Sequence, residues 1–270
     1  MKVTIIGAGN LSWSLIPNLQ RIGLDVIQII SRTPEKRHRF AKAYGIPLAH
    51  KSLKDLSSKA ELVVLSVGDH AIAPLAVELA RFASPHQYFV HTSGSISLDA
   101  LSPLGANVGV FYPMQIFTQA VVTSYEHVPL FLEAPDSLYP ILLEIANQLT
   151  NKVYRFNSEE RLCLHLGAVI VCNFTNYLYR IAQTISPLDT ESPIEIYKPL
   201  IEEHLQKVFR FNPENTQTGP AIRADYSTLN KHLKLLQHDP PIQKLYLEIS
   251  NLINPSLCEE LIDPNTSKTV

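Results

Sequence analysis

Gly7-Ala8-Gly9-Asn10-Leu11-Ser12 stands between an apolar run and a helical pattern, and its spacing suits a diphosphate. In a G-x-G-x-x-G/A turn the first glycine permits the tight turn and the second lets the backbone approach a pyrophosphate. The third position must be small so that helix and strand pack closely; here it is Ser12. The helix start adds free N–H groups and a partial positive charge. The competing reading, a structural glycine turn, is opposed by the strand–turn–helix context. Downstream, Ser31-Arg32-Thr33 replaces the acidic residue that NAD binders usually present to the ribose, with Lys36 and Arg37 just beyond. Arg32 can grip a 2′-phosphate in bidentate fashion, so the cofactor expected is NADP(H); the alternative is a set of solvated surface charges.

Two further loops are expected at the cofactor: Val67-Gly68-Asp69-His70 and His91-Thr92-Ser93-Gly94-Ser95. Both follow apolar runs read as parallel strands, at whose carboxyl ends ligands bind. Val67, Gly68, His91, Thr92 and Ser93 are assigned to the cofactor and Ser95 to the substrate, against turn chemistry and helix capping as the alternative.

Hydride chemistry also needs a proton donor or acceptor. On one long apolar helix pattern, His165, Asn173 and Asn176 fall along one side. His165 is the candidate general acid because its unperturbed pKa lies near neutrality, and Asn173 and Asn176 are candidates to orient a substrate. A core histidine with backbone-bonded asparagines is the equal alternative. Arg223 is a candidate carboxylate clamp or a structural ion-pair partner, while Asp225 is expected to cap the helix after it. Tyr112 and Gln115, after a strand end, are expected to line the substrate pocket.

The elements that must hold these residues alternate through the first half of the chain. Strands are expected at 3–6, 25–30, 61–67, 88–91, 108–111 and 128–132, with helices at 11–22, 34–44, 71–82 and 98–104. Strands apolar on both faces and separated by helices imply a Rossmann-type, doubly wound α/β fold with a mostly parallel sheet. From about Ser158 only helices are expected: 159–185, 191–209, 226–237 and 241–253. The division expected is an NADP-binding domain over 1–152 and an all-helical substrate and dimerisation domain over 153–270, with a cleft between them. The last dozen residues are polar and expected to fray.

Composition narrows the function classes. Of 270 residues, 46% are hydrophobic and 18% charged, enough for sizeable cores. A net charge of -2 and no long basic run argue against nucleic acid or an anionic membrane as partner. No export signal is read, and no apolar run is expected to reach the roughly 20 residues of a membrane span, so a soluble cytoplasmic protein is expected. Cys163, Cys172 and Cys258 have no metal-ligand spacing and read as packing residues.

Together the fingerprint with Ser31-Arg32-Thr33, the His91–Ser95 loop, Phe111-Tyr112-Pro113-Met114-Gln115-Ile116-Phe117 and Thr218-Gly219-Pro220-Ala221-Ile222-Arg223 resemble the Rossmann-like proteins with a C-terminal DUF-2520 helical domain, of the NADP oxidoreductase, coenzyme F-420-dependent type. The resemblance covers nearly the whole chain. More distantly the layout is similar to pyrroline-5-carboxylate reductase, ketopantoate reductase and the β-hydroxyacid dehydrogenases. It implies an NADP-linked oxidoreductase acting on a small carbonyl or imine compound, and a homodimer formed through the C-terminal helices. The alternatives are an NADP(H)-binding sensor or scaffold without turnover, and an NADP:deazaflavin oxidoreductase. Many relatives carry histidine where Tyr112 stands and glycine where Ala224 stands. The lysine–asparagine pair of the hydroxyacid dehydrogenases is missing; Arg161 and His165 occupy that spacing.

Overall fold

The computed structural model describes residues 1–188 and 192–259. Contacts divide the chain into two compact units, Met1–Asn173 and Phe174–Val270. The strands are β1 (Lys2–Ile6), β2 (Asp25–Ile30), β3 (Leu48–His50), β4 (Leu62–Leu65), β5 (Tyr88–His91), β6 (Val108–Pro113), β7 (Leu130–Glu133) and β8 (Val153–Arg155). Helices of the first unit are α1 (Asn10–Arg21), α2 (Pro34–Tyr44), α3 (Asp69–Leu79), α4 (Tyr139–Leu149) and α5 (Ser158–Ala168), with a 3-10 helix at Leu98–Leu104.

One sheet holds all eight strands in the order β3-β2-β1-β4-β5-β6-β7-β8. It is parallel except where β6 meets β7. The Rossmann-type fold is therefore the one expected. Neighbouring residues on a strand enter opposite cores. Ile5, Val64 and Val90 pack with Leu15, Ile16 and Leu19 of α1 and Leu142, Ile145 and Ala146 of α4. Ile6, Val63, Leu65 and Phe89 pack with Ile72, Ala76 and Leu79 of α3 on the other face. That period-2 partition is why both faces of these strands are apolar.

β3, α4 and β8 were not among the expected elements. β3 and β8 are three-residue edge strands without a fully buried residue, so they leave little pattern. In α4, Leu142, Ile145, Ala146 and Leu149 are buried at helical spacing, a signal that was present in the sequence. Pro17 lies inside α1 and Pro74 inside α3.

The strands continue to β8 at Val153–Arg155, and the compact unit runs on to Asn173. The reason is that Arg161 and His165 of α5 bond back to the sheet and its loops. The second unit contains α6 (Thr175–Ile185), α7 (Lys198–Phe211), α8 (Pro213–Thr216), α9 (Tyr226–Leu235) and α10 (Pro240–Ile253). A 3-10 helix, Pro193–Tyr197, precedes α7, and the start of the helix expected at Glu191 lies outside the described residues, as does nearly all of the tail expected to fray. This unit has a small core around Ala221, Leu229 and Leu257. Asp225 caps α9, accepting from Thr228 N at 3.0 Å and from Thr228 Oγ1 at 2.8 Å. Ala224 has φ 51°, the left-handed region that glycine occupies without penalty.

Two expectations about the long helix are corrected. The helical stretch Ser158–Ile185 spans 28 residues at mean hydropathy 1.3, enough by length and composition to cross a membrane. Single polar residues break its runs, so a search for uninterrupted apolar sequence passes over it. Along the stretch Leu162, Leu166, Ile170, Val171, Phe174 and Tyr177 are exposed. Cys163 is likewise an exposed free thiol rather than a packing residue.

Candidate active site

The fingerprint is built by close packing between β1, α1 and β4. Gly7 has φ 111°, and a Cβ there would lie 2.0 Å from Ser66 O. Ser12 is fully buried; its hydroxyl donates to Gly7 O at 2.8 Å and lies 2.9 Å from Ser66 Oγ. The third motif position is thus a small residue that pins the turn to the end of β4. Gly9, the N-cap of α1, has no side-chain cap, and a Cβ on it would meet nothing within 4 Å. Ala8 is buried, while Asn10 is exposed and Leu11 half-buried. Bare helix N–H groups beside open space fit an approaching diphosphate. β1 and β4 are adjacent although β2 and β3 extend the sheet the other way, so the turn lies at the topological switch point, where dinucleotides bind.

At the end of β2, Ser31 N donates to His50 O and Ser31 O accepts from Arg37 Nη1 at 2.7 Å. Arg37 is therefore engaged in holding the turn. Arg32 is exposed and makes no ion pair among the described residues, and Thr33 is the N-cap of α2. Arg32 and, on the first turn of α2, Lys36 are exposed cations that make no ion pair among the described residues.

The loop after β5 is internally bonded. Ser93 N donates to His91 Nδ1 at 3.2 Å, and Ser93 Oγ accepts from Ser95 N and Ile96 N at 3.1 Å each. Thr92 and Ser93 are buried, and His91 is fully so. Burial first and the Arg161 cation second hold His91 down to about 4, with the Ser97 backbone and Asp69 opposing. His91 is a neutral imidazole that shapes the loop from inside. Ser95 Oγ donates to Asp69 Oδ2 at 2.5 Å, linking this loop to the start of α3, where Gly68 is an uncapped N-cap next to half-buried Val67.

Above that loop two expected residues meet. Tyr112, at the end of β6, places its hydroxyl 3.2 Å from His165 Nδ1, the rings edge to face. Glycine at 94 makes this possible: a Cβ there would lie 2.6 Å from His165 Nδ1 and 2.9 Å from the Tyr112 hydroxyl. Burial raises the Tyr112 pKa, partly offset by Arg161 and reinforced by Asp69. The phenol therefore stays protonated at neutral pH.

Arg161, one helical turn before His165, went unassigned in the sequence. It is the largest fully buried side chain among the described residues. Its Nη2 lies 3.2 Å from Glu133 Oε2 and donates to Ile96 O at 2.5 Å, and its Nε donates to Ser93 O at 3.3 Å. The signal was an arginine four residues before a histidine in an apolar helix.

Other expected residues are not drawn together. Gln115 is exposed and its Oε1 accepts from Ile116 N at 2.8 Å. Asn173 and Asn176 are both exposed. Val169–Phe174, between His165 and Asn176, is π-helical. Arg223, exposed in the second unit, lies near enough to Asp225 to lower its pKa, behind the larger effect of Thr228.

Two family profiles match the chain. "NADP oxidoreductase coenzyme F-420-dependent" covers residues 2–93, and "Domain of unknown function (DUF-2520)" covers residues 128–253. A protein of solved structure from Bacteroides fragilis, described provisionally as an NADP oxidoreductase, is 35% identical with a TM-score of 0.85, over 94% of this chain and 98% of that one. A Thermotoga maritima protein of solved structure shares the fold at 23% identity and a TM-score of 0.69, over 96% and 99% of the two chains. Pyrroline-5-carboxylate reductase from Pseudomonas aeruginosa is 30% identical over 102 residues, 37% of this chain and 37% of that protein. The chain thus spans just over a third of that curated relative's length in the match.

Proposed function

The chain belongs to the family that joins a Rossmann domain of the NADP oxidoreductase, coenzyme F-420-dependent type to a DUF-2520 helical domain, and from that premise we propose that it reduces a small imine or carbonyl compound with NADPH. The observation that carries this reading is the Tyr112–His165 pair over Gly94. It lies beyond the carboxyl ends of β5 and β6, strands parallel to those that carry the fingerprint.

The cofactor, when bound, supplies a hydride at its nicotinamide. The backbone of Gly7–Ser12 holds the diphosphate, and Arg32 with Ser31 and Thr33 recognises the 2′-phosphate. In the protonated imidazole His165 Nδ1–H donates to the Tyr112 hydroxyl oxygen, and the Nε2 proton is the one delivered to the substrate nitrogen or oxygen, which leaves His165 as the neutral imidazole. Ser95 and Asp69 present polar atoms beside it.

A panel of cyclic imines, aldehydes and 2-oxo acids, read by NADPH oxidation, tests it. Turnover of at least one compound should vanish in His165→Ala while NADPH affinity persists. Binding without turnover on every compound would favour a sensor, and turnover only with a deazaflavin would favour hydride exchange between cofactors. Arg32→Ala should weaken NADPH by roughly ten- to hundredfold, the scale of charge-assisted hydrogen bonds, and NADH far less. Equal losses would count against NADP as the cofactor.

A further inference from the structure

Burying a guanidinium costs several kcal/mol unless its bonds are good. Arg161 is 1% exposed, yet its Nη1 has no hydrogen-bond partner among the described residues. Its other contacts all converge on one junction. Nε bonds Ser93 O, and Nη2 bonds Ile96 O and pairs with Glu133. Ser158 Oγ completes the junction: it is 2.9 Å from both Glu133 oxygens, 3.4 Å from Arg161 Nη2, and accepts from Leu98 N at 3.0 Å. The two carbonyls that Arg161 holds flank Gly94, the residue whose missing Cβ admits both the Tyr112 hydroxyl and His165 Nδ1. Arg161 and His165 are i and i+4 on α5, stacked on one face. Glu133 lies on β7, paired with the β6 that carries Tyr112, so a shift of α5 relative to the sheet and the 93–96 loop would open the 3.2 Å contact between tyrosine and histidine.

We propose that Arg161 is a positioning residue, with Glu133 as its counter-ion: it clamps the 93–96 loop to α5 so that Tyr112 and His165 meet over Gly94. The planar fork is what the junction uses, because one side chain must reach two carbonyls and a carboxylate at fixed angles. The clamp serves the proton donor assigned above and rests on that reading for its purpose. Its geometry can be measured without cofactor or substrate.

The experiment is histidine ring 15N NMR on the full chain, with His165 assigned through His165→Gln and the broken-pair reference set by Tyr112→Phe. In Arg161→Met the His165 Nδ1 resonance should move to its Tyr112→Phe position, and Arg161→Lys should restore it only in part. Glu133→Gln is run in parallel, in case the methionine variant does not fold, and should shift the same resonance in the same direction. A folded Arg161→Met or Glu133→Gln protein with the native His165 signal would overturn the inference. That result would leave the reductase reading intact, just as a failed substrate panel would leave the clamp intact.

Discussion

At the level of single residues, the site depends on groups that are uncharged because they are buried. His91 illustrates the consequence for stability. Its folded pKa of about 4 lies below the ordinary 6.5. Above pH 6.5 the ring is neutral in both states and contributes no pH dependence. Below 6.5 the unfolded chain takes up a proton that the folded chain refuses, until about pH 4. Folding stability should therefore fall by about 2 kcal/mol from this residue alone between pH 7 and pH 5. Urea unfolding at the two pH values checks it, with His91→Gln as reference. A variant that loses as much stability as the wild type over that interval would show that His91 does not titrate in this way.

At the level of elements, the β1–α1 turn separates folding from binding at neighbouring glycines. Gly7→Ala forces a Cβ to within 2.0 Å of Ser66 O at φ 111°, so it should cost about 3 kcal/mol or more through backbone strain and overpacking. Gly9→Ala meets no atom within 4 Å and should leave the thermal midpoint nearly unchanged. Its methyl enters the space a diphosphate would use, so NADPH affinity should fall at least roughly tenfold, about 1.4 kcal/mol. Calorimetric unfolding and titration of both variants make the comparison. Equal effects of the two substitutions on stability would contradict the packing described for the turn.

At the level of the whole molecule, the notable feature is apolar surface. Leu166 is 57% exposed, Val171 66% and Phe174 57%. Such a surface marks an interface more often than a solvated helix. We propose that a second copy covers it, giving a homodimer through the helices after Ser158. Analytical ultracentrifugation at tens of micromolar should show a dimer for the wild type, and Leu166→Glu with Phe174→Glu should yield monomer with a lower thermal midpoint. A wild-type monomer under those conditions would rule the proposal out. The buried Arg161–Glu133 pair at the start of the same stretch is better suited to a helix anchored on a sheet than to one surrounded by lipid.

Local chemistry was legible in the chain as written. Glycine at 7 and 9, a small residue at 12 and the alternation of apolar runs all act through neighbours in sequence or through the sheet period, so the Rossmann-type fold could be read. Tyr112 and His165 could be named as candidates, but not as partners, because 53 residues of chain separate them. Only tertiary structure brought them together over Gly94 and buried Arg161 against Glu133. Periodicity reports which way a side chain faces on its own element; contact between elements is decided by how they pack, and that information is spread over the whole chain.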